Sequence, residues 1–405
     1  MRVNKLGKAS FAADVLLSMS AFTLPIIAIY FFVQPGMAKV LGSEAYGIAL
    51  TSIAVVQFLD SSFIGALSNI RLLQSGDDDE PDYSQGTLLA ILPILVILMF
   101  LVSALAELVL GYFSLLNCML TGTILISMSC FDYLLVEFRI KINYRKIVFA
   151  NTLLIVGLAI GFCLFEFTRL WQLIYIVGYS VGLIYPLFEN RPWNKIRVRH
   201  DALHRLLSRY AKLSMSNLMT YLVAYGDRLI LFPLAGASSV SLYAAAAVAS
   251  KAVSFVTTPL SSVLLSYLVK ISEIKIAKRR FIAGTIAMPV LIAVVCLVFL
   301  PISWFLSSVL YPQWFNEASH YIAIIVIAIT IGNFANIANS IILRFAGTGY
   351  QAWISATRMV VFLVLGLVLT ASFGLLGFCL ASLACELVRL FLVFAILAVK
   401  CIDYR

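Results

Sequence analysis

Six ionisable side chains interrupt long apolar segments of this sequence, and they are its first candidates for chemistry. They are Asp60, Asp227, Arg228, Lys251, Glu386 and Arg389. On insertion scales a charge at the centre of a bilayer costs about 2.5–3.5 kcal/mol, so it usually faces a cavity or a partner rather than lipid. Internal pairing would account for Glu386 with Arg389, spaced i, i+3, and for Asp227 with Lys251. A cavity that binds a charged ligand is the alternative.

The three cations of this set predict binding of an anionic head group. Three asparagines, spaced i, i+3, i+6, add a row of amides on one stripe of a helix. These amides would hydrogen-bond either to neighbouring helices or to the hydroxyl groups of a sugar. The candidate substrate-binding residues are therefore Arg228, Lys251, Arg389, Asn333, Asn336 and Asn339.

The acidic members of the set are candidates for carrying a coupling proton or sodium ion. They are Asp60, Asp227 and Glu386. We expect no metal site, because the two histidines spaced i, i+4 have no third ligand and the acidic turn at 77–82 lacks the spacing of a calcium loop. No P-loop, GxGxxG, GxSxG or HExxH motif occurs, so the sequence predicts neither a cofactor nor a catalytic residue.

Helices inside a membrane must position these side chains. Of the 405 residues, 62% are hydrophobic and 12% are charged, with a mean hydropathy of +1.02, which excludes an ordinary soluble domain. A helical span needs about 20 mainly apolar residues. We therefore predict an all-α polytopic membrane protein with about twelve transmembrane helices, at 11–33, 46–70, 87–107, 114–136, 148–165, 171–189, 213–234, 241–266, 281–306, 319–343, 353–371 and 374–399.

Basic residues mark one side of this predicted bundle. The net charge is +10, and 24 of the 29 lysines and arginines fall at span ends on the side of the N-terminus. Because Lys and Arg are retained on the cytoplasmic side, both termini are predicted to be cytoplasmic. Charges near the inner ends of spans, among them Arg71, Asp132, Glu137 and Arg358, are expected to snorkel to the interface or to orient the spans. The surplus charge is thus an orientation signal, and the hydropathy excludes a soluble nucleic-acid-binding protein.

The connections divide the predicted helices six and six. The basic connection at 190–212 is predicted to be a cytoplasmic linker between an N-terminal lobe at 1–189 and a C-terminal lobe at 213–405. An internal echo, meaning a similar segment at the same place in each half, supports this division. The Gly/Ser-rich turn at 42–47 precedes the second span, and a similar turn at 236–241 precedes the eighth. Parallel repeats of this kind are a standard construction of transporters.

Three segments carry motif-like patterns. Residues 38–47 resemble the pattern LG-x-x-x-YG, residues 226–244 resemble DR-h-I-h followed by G-x-x-x-hG-x-Y-x-A, and residues 310–318 resemble LFG-x-x-W-x-x-A, where h is hydrophobic. Ser241 and Pro312 depart from these patterns, which have glycine at both positions. Together the segments resemble the polysaccharide transporter (Wzx-type flippase) branch of the MOP superfamily, which also holds the multidrug MATE exporters and the lipid II flippases.

The resemblance implies a MATE-like fold with two six-helix lobes around a central cavity. It implies a flippase that moves undecaprenyl-pyrophosphate-linked oligosaccharide, such as O-antigen units for lipopolysaccharide biosynthesis, across the bacterial inner membrane by alternating access. The partners implied are this lipid-linked oligosaccharide, membrane lipids and other polysaccharide-assembly membrane proteins. Nucleic acid is not among them.

Two other functions stay open at this point. A MATE-type multidrug or cation antiporter would favour acidic and aromatic groups over cations in its cavity, whereas three cations accompany three acids here. An enzyme such as an O-antigen polymerase or ligase would use a large outer loop with catalytic Arg or His residues. The outer connections of this chain are short, so we expect no enzyme.

Overall fold

A computed structural model describes residues 20, 23–74, 83–191, 200–248, 250, 276–345 and 348–403 of the chain. Nearly all of them are helical. The helices of the first half are α1 (Gln34–Leu59), α2 (Gly65–Gln74), α3 (Tyr83–Val109), α4 (Leu115–Ile140), α5 (Tyr144–Thr168), α6 (Gln172–Asn190) and α7 (His200–Ala224). Those of the second half are α8 (Gly226–Leu229), α9 (Leu231–Ala235), α10 (Ala237–Ala247), α11 (Lys278–Leu310), α12 (Phe315–Phe345) and α13 (Thr348–Ile396).

Short irregular elements continue these helices. They are π-helical turns at Ile29–Val33, Asp60–Ile64 and Leu397–Cys401, and a two-residue parallel pairing of β1 (Ile276–Ala277) with β2 (Ile402–Asp403). The turn at Asp60–Ile64 joins α1 to α2 without ending the helical path. It therefore reorients the side chains of one turn in the middle of a long apolar helix.

Eight helical stretches of the described part are long and apolar enough to cross a membrane, or nine if one pair bent by 64° counts as a span. Two of the eight, Thr23–Leu72 and Gly349–Val399, have 50 and 51 residues. That is more than twice the ~20 residues that a span needs. They contain glycines with positive φ, 76° at Gly42 and 57° at Gly374, so each stretch forms two spans joined by a sharp turn.

Each of the twelve predicted spans overlaps a described helix. The bent pair, α7 with α8 and α9, corresponds to the seventh span, and α10 corresponds to the start of the eighth. The rest of the eighth span, at 251–266, lies outside the described residues, as do residues 11–19, 21 and 22 of the first. The prediction of an all-α polytopic membrane protein is confirmed.

The described helices form two compact units. The first comprises Met1–Leu41 and Ile48–Tyr225, and the second comprises Gly42–Gly47 and Gly226–Arg405. In the first unit α4 packs against α3 and α6, and α7 packs against α2. In the second, α12 packs against α10, α11 and α13. Helix α7 thus belongs to the first unit by its packing, while the lobe boundaries expected from the sequence, with a second lobe from 213, stay a prediction.

Helices α5 and α6 approach each other through glycines. A Cβ atom on Gly161 would lie 2.7 Å from the Cα atom of Ile174, and one on Gly157 would lie 2.8 Å from the carbonyl oxygen of Val177. Small residues let membrane helices pack backbone against backbone. This pair of glycines, four residues apart, therefore sets the spacing of α5 and α6.

The internal echo of the sequence is also a repeat of backbone conformation. Gly42 has φ 76° and ψ 175°, and Gly236 has φ 85° and ψ 168°. Both glycines come directly before a helical segment. A positive φ is readily adopted by glycine and disfavoured by other residues, which explains why both turns have glycine at this position.

The two repeated turns contact each other within the second unit. Ser241 Oγ donates a hydrogen bond of 2.5 Å to the carbonyl oxygen of Ser43. A Cβ atom on Gly47 would lie 2.0 Å from the carbonyl oxygen of Ala237, so that position has no room for a side chain. In the repeat Ser43 corresponds to Ala237 and Gly47 to Ser241. The contacts are therefore exchanged between equivalent positions, as across a local two-fold axis.

The contact between the two repeated turns is called the crossing below. Aromatic residues from two of the three motifs meet beside this crossing. The hydroxyl oxygens of Tyr46 and Tyr311 lie 3.1 Å apart. The ring of Trp314 stacks on both, with centroid distances of 5.6 Å to Tyr46 and 6.1 Å to Tyr311. Both tyrosines are fully buried. The motif segments at 38–47 and 310–318 therefore build one packed cluster in the second unit.

Candidate functional site

The first unit places a pair of carboxyl groups at the π-helical turn. Asp60 opens this turn and is only 3% exposed. Ser129 Oγ donates a hydrogen bond of 2.9 Å to Asp60 Oδ1, and the carboxyl group of Asp132 is also within hydrogen-bonding reach of Asp60. Ser129 and Asp132 are spaced i, i+3 on α4, so one face of this helix presents both groups to the turn.

Tyrosines surround this acidic pair. Tyr179 of α6 and Tyr221 of α7 both lie close enough to interact electrostatically with the two carboxyl groups. The hydroxyl oxygen of Tyr225 lies 3.5 Å from Ser61 Oγ, next to Asp60. Asn217 of α7 donates to the carbonyl oxygen of Ser61 at 3.3 Å. The polar face of α7 thus satisfies a backbone carbonyl of the π-helical turn and lines the acidic pair.

The second unit contains a cluster of one carboxylate and two guanidinium groups inside the spans. Arg358 of α13 donates to Glu386 Oε1 through Nε at 3.0 Å and also through its terminal nitrogen. Arg389 Nη1 lies 3.4 Å from Glu386 Oε2. The internal pairing of Glu386 with Arg389 therefore occurs, and it extends to a second arginine. The cluster has one net positive charge.

Helix α12 closes the cluster from the other side. Arg389 Nη2 donates to Asn336 Oδ1, and Nη1 lies 3.5 Å from the carbonyl oxygen of Gly332. A Cβ atom on Gly332 would lie 2.9 Å from the carboxylate of Glu386, so glycine is what allows α12 to approach this closely. Arg389 is buried, whereas Asn336 is exposed, so the cluster reaches the surface of the unit through an amide.

The three asparagines of the predicted stripe have different surroundings. Asn336 contacts Arg389, whereas Asn333 is buried one turn away. The Oδ1 atom of Asn339 is buried and has no hydrogen-bond partner within the described residues. The structure therefore brings one of the three amides into the charged cluster.

Asp227 and Arg228 lie on α8, at the bend between α7 and α9, and both are buried. They lie close enough to Tyr243 of α10 to interact with it electrostatically. Tyr243 packs edge to face on Phe378 of α13, at a centroid distance of 5.4 Å. The two charged side chains of α8 therefore lie near the packing contact between α10 and α13. Lys251, the predicted partner of Asp227, lies outside the described residues.

Four of the charges that the sequence places near inner span ends are paired within the protein. Arg71 forms a buried ion pair with Glu137 and lies over the ring of Tyr133, 5.2 Å from its centroid. Arg358 pairs with Glu386, and Asp132 with Asp60, as described above. In each case the partner lies on another helix or helical segment. Hydropathy along one span does not contain that information, which is why the sequence alone missed these pairs.

The described residues contain no group of three or more His, Cys, Asp or Glu side chains that could hold a metal ion. The two candidate sites are therefore an acidic pair among tyrosines and an arginine-rich cluster with an exposed amide. The first suits a proton or a monovalent cation, and the second suits an anionic group.

Comparison with solved structures identifies the fold. The lipid II flippase MurJ in an inward closed conformation matches with a TM-score of 0.69 at 15% identity, covering 96% of this chain and 88% of that chain. An inward-facing multidrug resistance MATE family transporter of the MOP superfamily matches with a TM-score of 0.64 at 11% identity, covering 94% and 98%. A MATE structure in the bent conformation matches with a TM-score of 0.55 at 12% identity, covering 95% and 93%.

No family model and no curated protein matches the sequence. The structural matches extend over nearly the whole chain, so the similarity covers the complete arrangement of spans rather than one motif. The chain is a multi-pass membrane protein with a MATE-like fold, as the sequence predicted.

Proposed function

We propose that this chain is a flippase that moves undecaprenyl-pyrophosphate-linked oligosaccharide, such as O-antigen units, across the bacterial inner membrane by alternating access. The observation that carries the proposal is the cluster of Arg358, Glu386 and Arg389 inside the spans. Two guanidinium groups on one carboxylate leave one positive charge, which an anionic head group would neutralise. Guanidinium groups match phosphate oxygens in geometry as well as charge.

The cluster has donors and acceptors for both parts of such a ligand. Arg389 Nε has no hydrogen-bond partner within the described residues, so one guanidinium N–H is available to a phosphate oxygen. The exposed side chain of Asn336 lies beside it and is proposed to hydrogen-bond to a sugar hydroxyl. Asn333 and Asn339 are proposed to continue the sugar-binding stripe. Arg228 and Lys251 are proposed as the remaining cations that bind the pyrophosphate.

The acidic pair of Asp60 and Asp132 is proposed as the coupling site. Of the three acids that the sequence nominated, Glu386 already has two arginine partners, whereas Asp60 has a second carboxyl group beside it. Two neighbouring carboxyl groups share a proton or bind a cation more readily than they both ionise. Asp227, at the bend, is the second candidate for coupling.

The fold supports transport rather than catalysis. One structural neighbour is named a lipid II flippase, and the others are named MATE transporters. We propose that this chain likewise works without a catalytic residue or a cofactor. We also propose that both of its termini lie in the cytoplasm.

Flipping by the purified chain tests the proposal. The chain is reconstituted into liposomes with a fluorescent undecaprenyl-pyrophosphate oligosaccharide, and its accessibility to an external glycosidase is followed over time. Replacing Arg358 and Arg389 together by Ala is expected to slow flipping at least about tenfold, the equivalent of about 1.4 kcal/mol. The matched control is Arg169→Ala, which removes an exposed arginine and should flip at the unmodified rate. Unchanged flipping by the double variant would contradict the proposal.

The coupling site is tested in the same liposomes with an imposed proton or sodium gradient. Asp60→Asn and Asp132→Asn are expected to remove the effect of the gradient while slow flipping without a gradient continues. Glu166→Gln, at an exposed glutamate of α5, serves as the control. A gradient effect that persists in both Asn variants would exclude the acidic pair as the coupling site.

A MATE-type multidrug or cation antiporter is the second candidate function. The observation that favours it is the acidic pair among tyrosines in the first unit, because such groups suit an organic cation. Efflux of a cationic dye from the same liposomes separates the two candidates. Dye transport that needs Asp60, with no flipping of the lipid-linked oligosaccharide, would favour the antiporter.

A further inference from the structure

A buried glutamate near the end of α3 has no role in the proposed transport sites. Glu107 is 1% exposed and lies two residues before the end of the span Ile91–Val109. Its Oε1 atom lies 2.6 Å from Thr121 Oγ1 of α4. Its Oε2 atom has no hydrogen-bond partner within the described residues. The carboxyl group of Glu107 is therefore buried with a single hydrogen-bond partner among the described residues.

No cation compensates this carboxyl group within the described part of the chain. The titratable groups that face it are Tyr112, in the connection between α3 and α4, and Cys118 of α4. Burial, the largest effect, raises the pKa of Tyr112 to about 12, so this phenol is neutral at physiological pH. Thiols are ordinarily neutral there as well. The group on α1 that approaches Tyr112 is the hydroxyl of Ser52, which carries no charge.

An isolated ionised carboxylate in such a place would cost far more than a hydrogen bond returns, and such groups neutralise instead. Metal binding is a poor alternative, because metal ions need several oxygen or nitrogen ligands and Oε2 has no polar partner here. The described residues also contain no group of three or more acidic, His or Cys side chains around a common point. A bound proton is the remaining way to remove the charge.

The hydrogen bonds of the Thr121 hydroxyl group give an independent reason to expect a protonated Glu107. It has one hydrogen to donate, yet three oxygen atoms lie within reach: Glu107 Oε1, the carbonyl oxygen of Asn117, and that of Cys118 at 3.3 Å. If Glu107 is ionised, the carboxylate and the Asn117 carbonyl compete for this hydrogen. If Glu107 is protonated, its O–H donates to Thr121 Oγ1, and the Thr121 hydroxyl donates to Asn117. The protonated form therefore satisfies the two shortest contacts of the hydroxyl group, those with Glu107 and Asn117.

We propose that Glu107 is a proton-binding site, a neutral carboxylic acid at physiological pH that donates its hydrogen bond to Thr121. The site is separate from the acidic pair of Asp60 and Asp132 and lies near the span end that the sequence predicts to be external. Deprotonation would leave a buried negative charge without a counter-charge, so release of this proton requires that the corner between α3 and α4 opens to water. The proposal stands whether the cargo is a lipid-linked oligosaccharide or a dye.

Infrared spectroscopy of the reconstituted full chain tests it directly, because a protonated carboxyl group has a carbonyl stretch that a carboxylate lacks. At neutral pH the spectrum of the unmodified chain minus that of Glu107→Gln is expected to contain this band. The same subtraction for the control, Glu166→Gln, is expected to contain none. Thr121→Val should keep the band and move it to higher frequency, since the hydrogen bond is lost.

Two results would overturn the proposal. One is the absence of the band from the Glu107→Gln difference spectrum at neutral pH. The other is a sodium-dependent rise in thermal stability that the unmodified chain has and Glu107→Gln lacks, which would identify a metal-cation site. Gln is the closest neutral mimic of protonated Glu, so the proposal also requires that Glu107→Gln folds as well as the unmodified chain.

Discussion

The ionisable residues within the spans differ in how their charge is compensated. Arg71 with Glu137, and Glu386 with two arginines, form ion pairs between helices or along one helix face. Asp60 instead meets a second acid, and Glu107 meets a hydroxyl group. Residues of the first kind hold helices together. Those of the second kind are proposed to bind a proton or a cation, because no cation in their described surroundings balances the charge.

Stability measurements should reveal which member of the arginine cluster matters most for folding. Glu386→Gln leaves two guanidinium groups inside the spans without a counter-charge, and breaking a buried pair in this way costs about 3–5 kcal/mol. Arg389→Met removes one cation but keeps the pair of Arg358 and Glu386, so it should cost less. In detergent the unmodified chain is expected to have the highest melting temperature, Arg389→Met a lower one, and Glu386→Gln the lowest. The reverse order for the two variants would show that Arg358 does not compensate Glu386.

At the scale of the secondary-structure elements, three of the candidate residues lie at breaks in helical geometry. Asp60 begins a π-helical turn, and Asp227 and Arg228 lie where α7 bends into α8 and α9. Irregular backbone inside a membrane is tolerated where other groups satisfy it, as Asn217 does for Ser61. These three charged residues therefore occur where the regular helix has already been interrupted.

The crossing of the two repeated turns gives a prediction at this scale. Gly47→Ala would place a methyl group 2.0 Å from the carbonyl oxygen of Ala237, and backbone must move to relieve that overlap. Overpacking of this kind costs about 1–3 kcal/mol. The variant should melt at a lower temperature in detergent and give less folded protein.

The matched control for the crossing is Gly349→Ala. A Cβ atom at Gly349 would have no heavy atom within 4 Å, and this residue is exposed. Its replacement should change stability by no more than about 0.5 kcal/mol. If both alanine variants melted alike, the close approach at Gly47 would not contribute to stability.

The orientation of the whole molecule in the membrane is a prediction from its basic residues, and one helix suffices to test it. Arg169 precedes α6 and Arg191 follows it, so the two exposed positions lie at opposite ends of one span. With the seven native cysteines replaced, Arg169→Cys should react with a membrane-impermeant maleimide in intact spheroplasts. Arg191→Cys should react only after permeabilisation. The opposite labelling pattern would invert the predicted topology.

The sequence by itself determined the features that depend on one segment at a time. Apolar length predicted each helix, glycine predicted the turns at Gly42 and Gly236, and ionisable side chains inside spans singled out Asp60, Glu386 and Arg389. These properties are local, because a helix satisfies its own backbone and the bilayer selects for apolar side chains.

Only the tertiary structure decided which helices bring their side chains together. It joined Asp132 to Asp60 and Arg358 to Glu386, although both partners had looked like ordinary inner-end charges. It also revealed Glu107, which the sequence did not single out, because neither its burial nor the single hydroxyl contact of its carboxyl group can be deduced from one span. Pairing across helices depends on rotation and close approach, as at Gly332 beside Glu386, and the periodicity of a nearly uniformly apolar helix does not specify either.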